Sequence, residues 1–168
     1  MTFDGVEIPE KYRLTPEGDG LSAAFKILTG GRLAIASQAV GVAQAALDEA
    51  IAYAGEREQF GKPIGDIGAI RQKVADMATQ VEASRLLCRE AARQADAGED
   101  SRVIASMAKY FASEAAMDVT NEAVQIHGGY GYMSEFDVER FYRDAKITTI
   151  YEGTSEIQKT IVARDLLD

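Results

Sequence analysis

The chain has 168 residues, room for one core of ordinary size, and its 46% hydrophobic and 27% charged residues are those of a globular protein. A formal net charge of −9, with Lys and Arg scattered instead of clustered, argues against a phosphate-tracking surface and so against a nucleic-acid partner. No apolar run is long enough to span a bilayer, and Met1-Thr2-Phe3-Asp4-Gly5 lacks the basic and apolar regions of a signal peptide, so a cytoplasmic or organelle-matrix protein is expected.

Met1 to Gly20 is rich in turn signals: Asp4-Gly5, Pro9, Pro16 and Gly18-Asp19-Gly20 surround the short alternating run Val6-Glu7-Ile8. This predicts a strand or extended arm without a visible partner. With only three Pro against abundant Ala, residues 21–168 predict an all-α domain, an antiparallel up-and-down bundle resembling a four-helix bundle. Breaks fall near Gly61-Lys62-Pro63-Ile64-Gly65, Gly98-Glu99-Asp100-Ser101 and Gly128-Gly129-Tyr130-Gly131.

The first helix is predicted from about Leu21 to Arg57, its apolar stripe running through Leu21, Phe25, Leu28, Ile35, Ala39, Val42 and Ala46. Arg32 intrudes on the same spacing. Its stem could lie on the core with its head in solvent, or the guanidinium could meet an anion or an opening in the core. The second helix shows Ile70, Val74, Met77, Val81, Ser84, Cys88, Ala91 and Ala95 in steps of four and three, which makes the single cysteine a packed thiol instead of a nucleophile.

A third helix carries a stripe of Ala105, Ala108, Ala112, Ala115, Val119, Ala123 and Ile126, small enough for a neighbour to approach closely. Ser134-Glu135-Phe136-Asp137 and Ser155-Glu156-Ile157-Gln158 resemble capping boxes that open two shorter helices.

Three segments are candidates for chemistry. In Tyr151-Glu152-Gly153-Thr154 a carboxylate stands just before a helix start. The helix dipole lowers its pKa and enclosure by Tyr151 and an apolar ligand raises it, which would make it a base for a weakly acidic carbon-bound proton. The bland reading is a surface Glu beside a cap. Gln125-Ile126-His127-Gly128-Gly129-Tyr130-Gly131 reads either as a glycine helix end or as bare backbone offered to a flat or phosphorylated ligand. His127 is the only histidine, which excludes a site of several imidazoles, so it is read as structural. Glu56-Arg57-Glu58-Gln59-Phe60-Gly61-Lys62-Pro63 closes the first helix, and its cation is ordinary dipole compensation when taken alone.

Together these segments resemble the C-terminal helical domain of the acyl-CoA dehydrogenase family over nearly the whole chain. To them the likeness adds Gly30-Gly31-Arg32, Ala75-Asp76-Met77-Ala78, Val138-Glu139-Arg140, Arg143-Asp144-Ala145-Lys146-Ile147, and Ile150 to Gln158. Phe3-Asp4-Gly5-Val6-Glu7-Ile8-Pro9 resembles the last strand of the family's middle β-domain.

The resemblance implies α,β-dehydrogenation of an acyl-CoA thioester, with a carboxylate taking the α-proton, FAD accepting the β-hydride and an electron-transfer flavoprotein reoxidising it. Glu152 matches the base. The alternative position, used by some members, is Gly31 here. Arg57, Gln59, Phe60, Gln125, Gly128 and Gly129 match contacts to the FAD of a neighbouring subunit, and Thr154 and Glu156 match positions near the flavin on the other side. Arg32, Tyr151 and Gly153 match the substrate site, and Thr29 stands where the family often has Asp.

The family's homo-oligomer, a dimer of dimers, is built largely through this bundle. Its N-terminal helical domain and middle β-domain have no counterpart in these 168 residues, so the chain alone is expected to bind flavin weakly and not to turn over. The alternatives are a non-catalytic oligomerisation module of the same descent, or a flavin oxidase or monooxygenase relative.

Overall fold

Five helices carry nearly all the regular structure in the computed structural model of the chain, which describes residues 2–168. They are α1 (Gly20–Glu56), α2 (Gly68–Asp96), α3 (Arg102–His127), α4 (Val138–Thr148) and α5 (Ser155–Leu167). Short connections make the long helices antiparallel neighbours. α3 lies at the centre, against all four others. α5 runs along its first half, tied by Arg102–Asp165 and Ser155–Glu114, and α4 runs along its second half, so the two together fill the place of a fourth long helix.

The stripe predicted on α3 is buried throughout, and a second buried row of Ser106, Lys109, Ser113, Ala116 and Thr120 accompanies it. The hydroxyls of Ser106, Ser113 and Thr120 donate to carbonyls of their own helix, which removes the cost of burying them. On α2 the buried residues are Met77, Val81, Ser84, Cys88 and Ala91, with Ala95 exposed. Burial pushes the Cys88 thiol up to about 11, as a packed thiol requires.

Three expectations are corrected. The α1 stripe is buried only from Arg32 onward. At 37 residues, about 55 Å, α1 outruns the 26-residue α3, and Leu21, Phe25 and Ile27 on its overhanging end stay exposed. Neither capping box forms: the N-caps are Asp137 and Thr154, without side-chain cap bonds. The Ser155 hydroxyl donates to Glu114 instead, and Gln158 turns back to the carbonyls of Glu152 and Gly153.

Val6-Glu7-Ile8 is extended and exposed but pairs with no strand, and a 3-10 turn at Glu10–Tyr12 follows it. Met1, the first residue of the expected arm, lies outside the described residues. The break after α1 is an antiparallel hairpin of β1 (Glu58–Gln59) and β2 (Lys62–Pro63). Its two turn residues, Phe60 and Gly61, both have positive φ, the geometry of a tight two-residue hairpin.

Candidate active site and cofactor cradle

Glu152 sits in a left-handed turn, with φ of 54° at Glu152 and 92° at Gly153. Left-handed backbone is costly for a residue with a Cβ, so the surroundings must hold it. They do so from two helices. The Gly153 carbonyl accepts from Lys109 Nζ at 2.8 Å and from Gln158 Nε2 at 2.9 Å, and the Glu152 carbonyl accepts from Gln158 Nε2 at 3.2 Å. Gly153 has no room for a side chain: an added Cβ would stand 2.6 Å from Gln158 Nε2.

The turn points the Glu152 carboxylate back at α1. A Cβ added at Gly31 would fall on Glu152 Oε2 and lie 2.9 Å from its Cδ. Gly31 is thus the floor on which this carboxylate rests, and the two positions open to a base in the resemblance lie at one place in space. Tyr151 is half-buried, and its hydroxyl donates to Gln38 of α1, which sets the aromatic ring beside the turn.

Arg32, next along α1, is 7% exposed and its Nε has no partner, so its head does not reach solvent. Desolvation lowers its pKa, and the Arg102 charge adds to this, while Glu152 acts in the opposite sense. Thr154 occupies the N-cap position of α5. The carboxyl of Glu156 is held below the usual range first by its own backbone N–H and then by the Thr154 hydroxyl. Arg32, Tyr151, Glu152, Gly153, Thr154 and Glu156 therefore form one cluster.

The other candidates gather at the far end of α1, roughly 39 Å from Gly31 along the helix. Arg57, Gln59, Gly128 and Gly129 line a depression of about 540 Å³ with Tyr53, His127 and Tyr130. The Arg57 guanidinium lies 5.6 Å from the centre of the Tyr130 ring. Gly128 and Gly129 are exposed, with open space where a Cβ would be. Phe60 and Gln125 are exposed nearby but do not line the depression; Phe60 is 90% exposed. His127 is buried, stacked on Tyr53 at 4.1 Å, with Nδ1 2.8 Å from the Ala123 carbonyl, which agrees with its structural reading.

Two site residues escaped sequence reasoning. Lys109 is fully buried in α3, and its signal was its spacing: Ala105, Lys109, Ala112 and Ala116 keep the helical step, so Lys109 intrudes on a small-residue face as Arg32 intrudes on α1. Gln158 was read as half of a capping box, and nothing local showed that its amide would turn inward.

The sequence profile of the acyl-CoA dehydrogenase C-terminal domain matches residues 18–167. Caffeyl-CoA reductase-Etf complex subunit CarC of Acetobacterium woodii is 51% identical over 99% of this chain and 44% of its own length. The structure of butyryl-CoA dehydrogenase from Megasphaera elsdenii superposes with a TM-score of 0.97 at 48% identity, over 99% of this chain and 43% of that one. PigA with FAD and proline superposes with a TM-score of 0.94 at 30% identity, over 98% of this chain and 43% of that one. The chain thus spans less than half the length of the relatives it matches. By a match over most of its own length, the chain belongs to the acyl-CoA dehydrogenase family of flavin-dependent oxidoreductases, where it corresponds to the C-terminal helical domain.

Proposed function

We propose that this chain supplies the catalytic base, Glu152, and part of the FAD site of an acyl-CoA dehydrogenase, and that by itself it does not turn over. The observation that carries this reading is the left-handed turn that holds a half-buried carboxylate against bare Gly31 backbone. The α-hydrogen of a thioester is weakly acidic, and a half-buried carboxylate fixed in this turn is suited to remove it. Arg32 supplies a buried positive potential beside the carboxylate, and Tyr151 and Gly153 border the place where the acyl group would lie.

The donor set of the cradle suits FAD: a cation at Arg57, an amide at Gln59 and uncovered backbone at Gly128 and Gly129 fit a dinucleotide's pyrophosphate and flat rings. Bound FAD would supply the hydride acceptor. Arg57, Gln59, Phe60, Gln125, Gly128 and Gly129 would hold the FAD of a neighbouring subunit, and Thr154 and Glu156 would approach the flavin at the base end. The roughly 39 Å between the ends supports two different flavins, and so a homo-oligomer.

An apolar depression of about 460 Å³ lined by Ile51, Ile70 and Val74 supports self-association. A second depression at the overhang of α1 joins Leu21 and Phe25 to Lys26, Asp100 and Arg102, and there Arg102 is already paired with Asp165 and Asp100. An electron-transfer flavoprotein as redox partner follows from the same reading, in keeping with the Etf complex named for the Acetobacterium woodii relative.

The test is to mix the chain with separately expressed N-terminal and middle domains, then record a bound-flavin spectrum and its bleaching by acyl-CoA. Glu152→Gln is expected to slow bleaching by about 10²–10⁴-fold while flavin stays bound. Bleaching at full rate in that variant would sink the base assignment. Stable self-association with no flavin bound in any mixture would favour the oligomerisation module.

A further inference from the structure

We propose that Lys109 is a positioning residue for Glu152: its ammonium grips the Gly153 carbonyl and so fixes the left-handed turn that aims the carboxylate at Gly31. A completely buried lysine is rare, because an ammonium loses its hydration on burial. Here it lies in a row of Ala and Ser, and among the described residues no carboxylate stands within ion-pair distance of it. The bond assigned to Nζ is the one to Gly153 O, at 2.8 Å. Retention of a cation on an otherwise small-residue face therefore tracks that carbonyl.

The carbonyl needs the bond. Glu152 O and Gly153 O are carbonyl acceptors of the turn, and no backbone N–H of the turns and loops reaches either of them. Lys109 on α3 and Gln158 on α5 take both, so the turn is gripped from opposite helices. A methionine at 109 would fill the same space and leave Gly153 O with half of its partners.

The grip also brings charge. Arg32 on α1 and Lys109 on α3 both feel the Glu152 charge; Glu114 on α3 and Glu156 on α5 also act on Lys109, and Arg102 acts on Arg32. Desolvation holds the Lys109 pKa below its ordinary value, and Glu114 leads the acids that oppose this.

The experiment uses the 168-residue chain with ¹³C-labelled Glu, and follows the Glu152 carboxyl signal by NMR at one neutral pH together with amide exchange at Gly153 and Thr154. In Lys109→Met exchange in the turn is expected to quicken about tenfold and the Glu152 carboxyl signal to move, with the rest of α5 unchanged. Lys109→Gln, which keeps a donor and removes the charge, should disturb exchange and the carboxyl signal less than Lys109→Met. A folded Lys109→Met chain with both readouts unchanged overturns the proposal.

Should neither variant fold, the unsubstituted chain still decides. Lys109 should show an ammonium signal protected from solvent, and a Lys109 that titrates and exchanges like a surface lysine overturns the proposal. The catalytic meaning rests on Glu152 being the base, and in the assembled enzyme Lys109→Met should lower kcat at least tenfold with KM little changed and move the pH profile of proton abstraction. If the assembled wild type never bleaches, the functional reading fails while the NMR result on the turn stands or falls alone.

Discussion

The two ends of α1 are built on opposite plans. At the base end, side chains of the chain itself close the site: Lys109 and Gln158 hold the turn, Ser155 donates to Glu114, and Tyr151 donates to Gln38. At the cradle end, Gln59, Phe60, Gln125, Gly128 and Gly129 face outward, and Arg57 has only an aromatic face beneath it and, among the described residues, no ion pair. A site closed by intrachain packing reports damage as lost stability. A site that waits for another surface reports damage only once that surface is present.

The largest effect on stability belongs to Gly153→Ala. The new Cβ would have to adopt a φ near 92° and push on Gln158 Nε2, at about 1–3 kcal/mol of backbone strain. Thermal unfolding should fall by roughly 2–4 °C for each of those kcal/mol. Gly129→Ala at the cradle end, where a Cβ meets open space, should leave the transition in place. Equal transitions in the two variants would break the contrast between the ends.

Phe60→Gly should act in the other direction. Phe60 keeps its left-handed φ while 90% exposed, so glycine relieves strain and removes little packing, a gain of about 0.5–1 kcal/mol by urea titration. In the flavin-loaded assembly the same variant should release FAD more readily. A protein that gains stability and holds flavin as tightly as wild type would show that Phe60 has no partner surface.

Much of this was legible in the chain. The buried faces of α2 and α3 follow the spacing of their small and apolar residues, and the cradle residues sit where glycines and the Arg57 segment end helices. What could not be read depends on contacts across the chain. The overhang of α1 is set by the length of α3, a distance no local pattern encodes. Ser155 and Gln158 satisfy a capping pattern locally, yet Glu114 and the Glu152–Gly153 carbonyls, brought near by the fold, compete successfully for them. Lys109 was passed over because only one side of α3 was counted, and α3 is covered on two.

Gly31→Ala separates stability from function within the base end. Replacing a helix-interior glycine is worth about 0.5–1 kcal/mol, and the atom it would strike is the free end of the Glu152 side chain, which can rotate away. Unfolding should therefore shift slightly upward while acyl-CoA-dependent bleaching of the assembled enzyme drops. Bleaching at the wild-type rate would mean that the carboxylate does not work from the position against Gly31.

The smallest effect is expected for Glu156→Gln, and its value lies in its pH dependence. The folded state holds the Glu156 carboxyl below its ordinary range, first through its own N–H and then through the Thr154 hydroxyl. A carboxyl with a depressed folded-state pKa adds stability above its unfolded value, and that stability fades as pH falls through the folded value. The wild type should thus exceed Glu156→Gln in urea midpoint at neutral pH, and the gap should close on acidification. A gap of constant size down to strongly acidic pH would mean that the difference between the two side chains does not come from the charge on Glu156. The N-terminal helix dipole would then play no part in shaping the electrostatics around Glu152 through this residue.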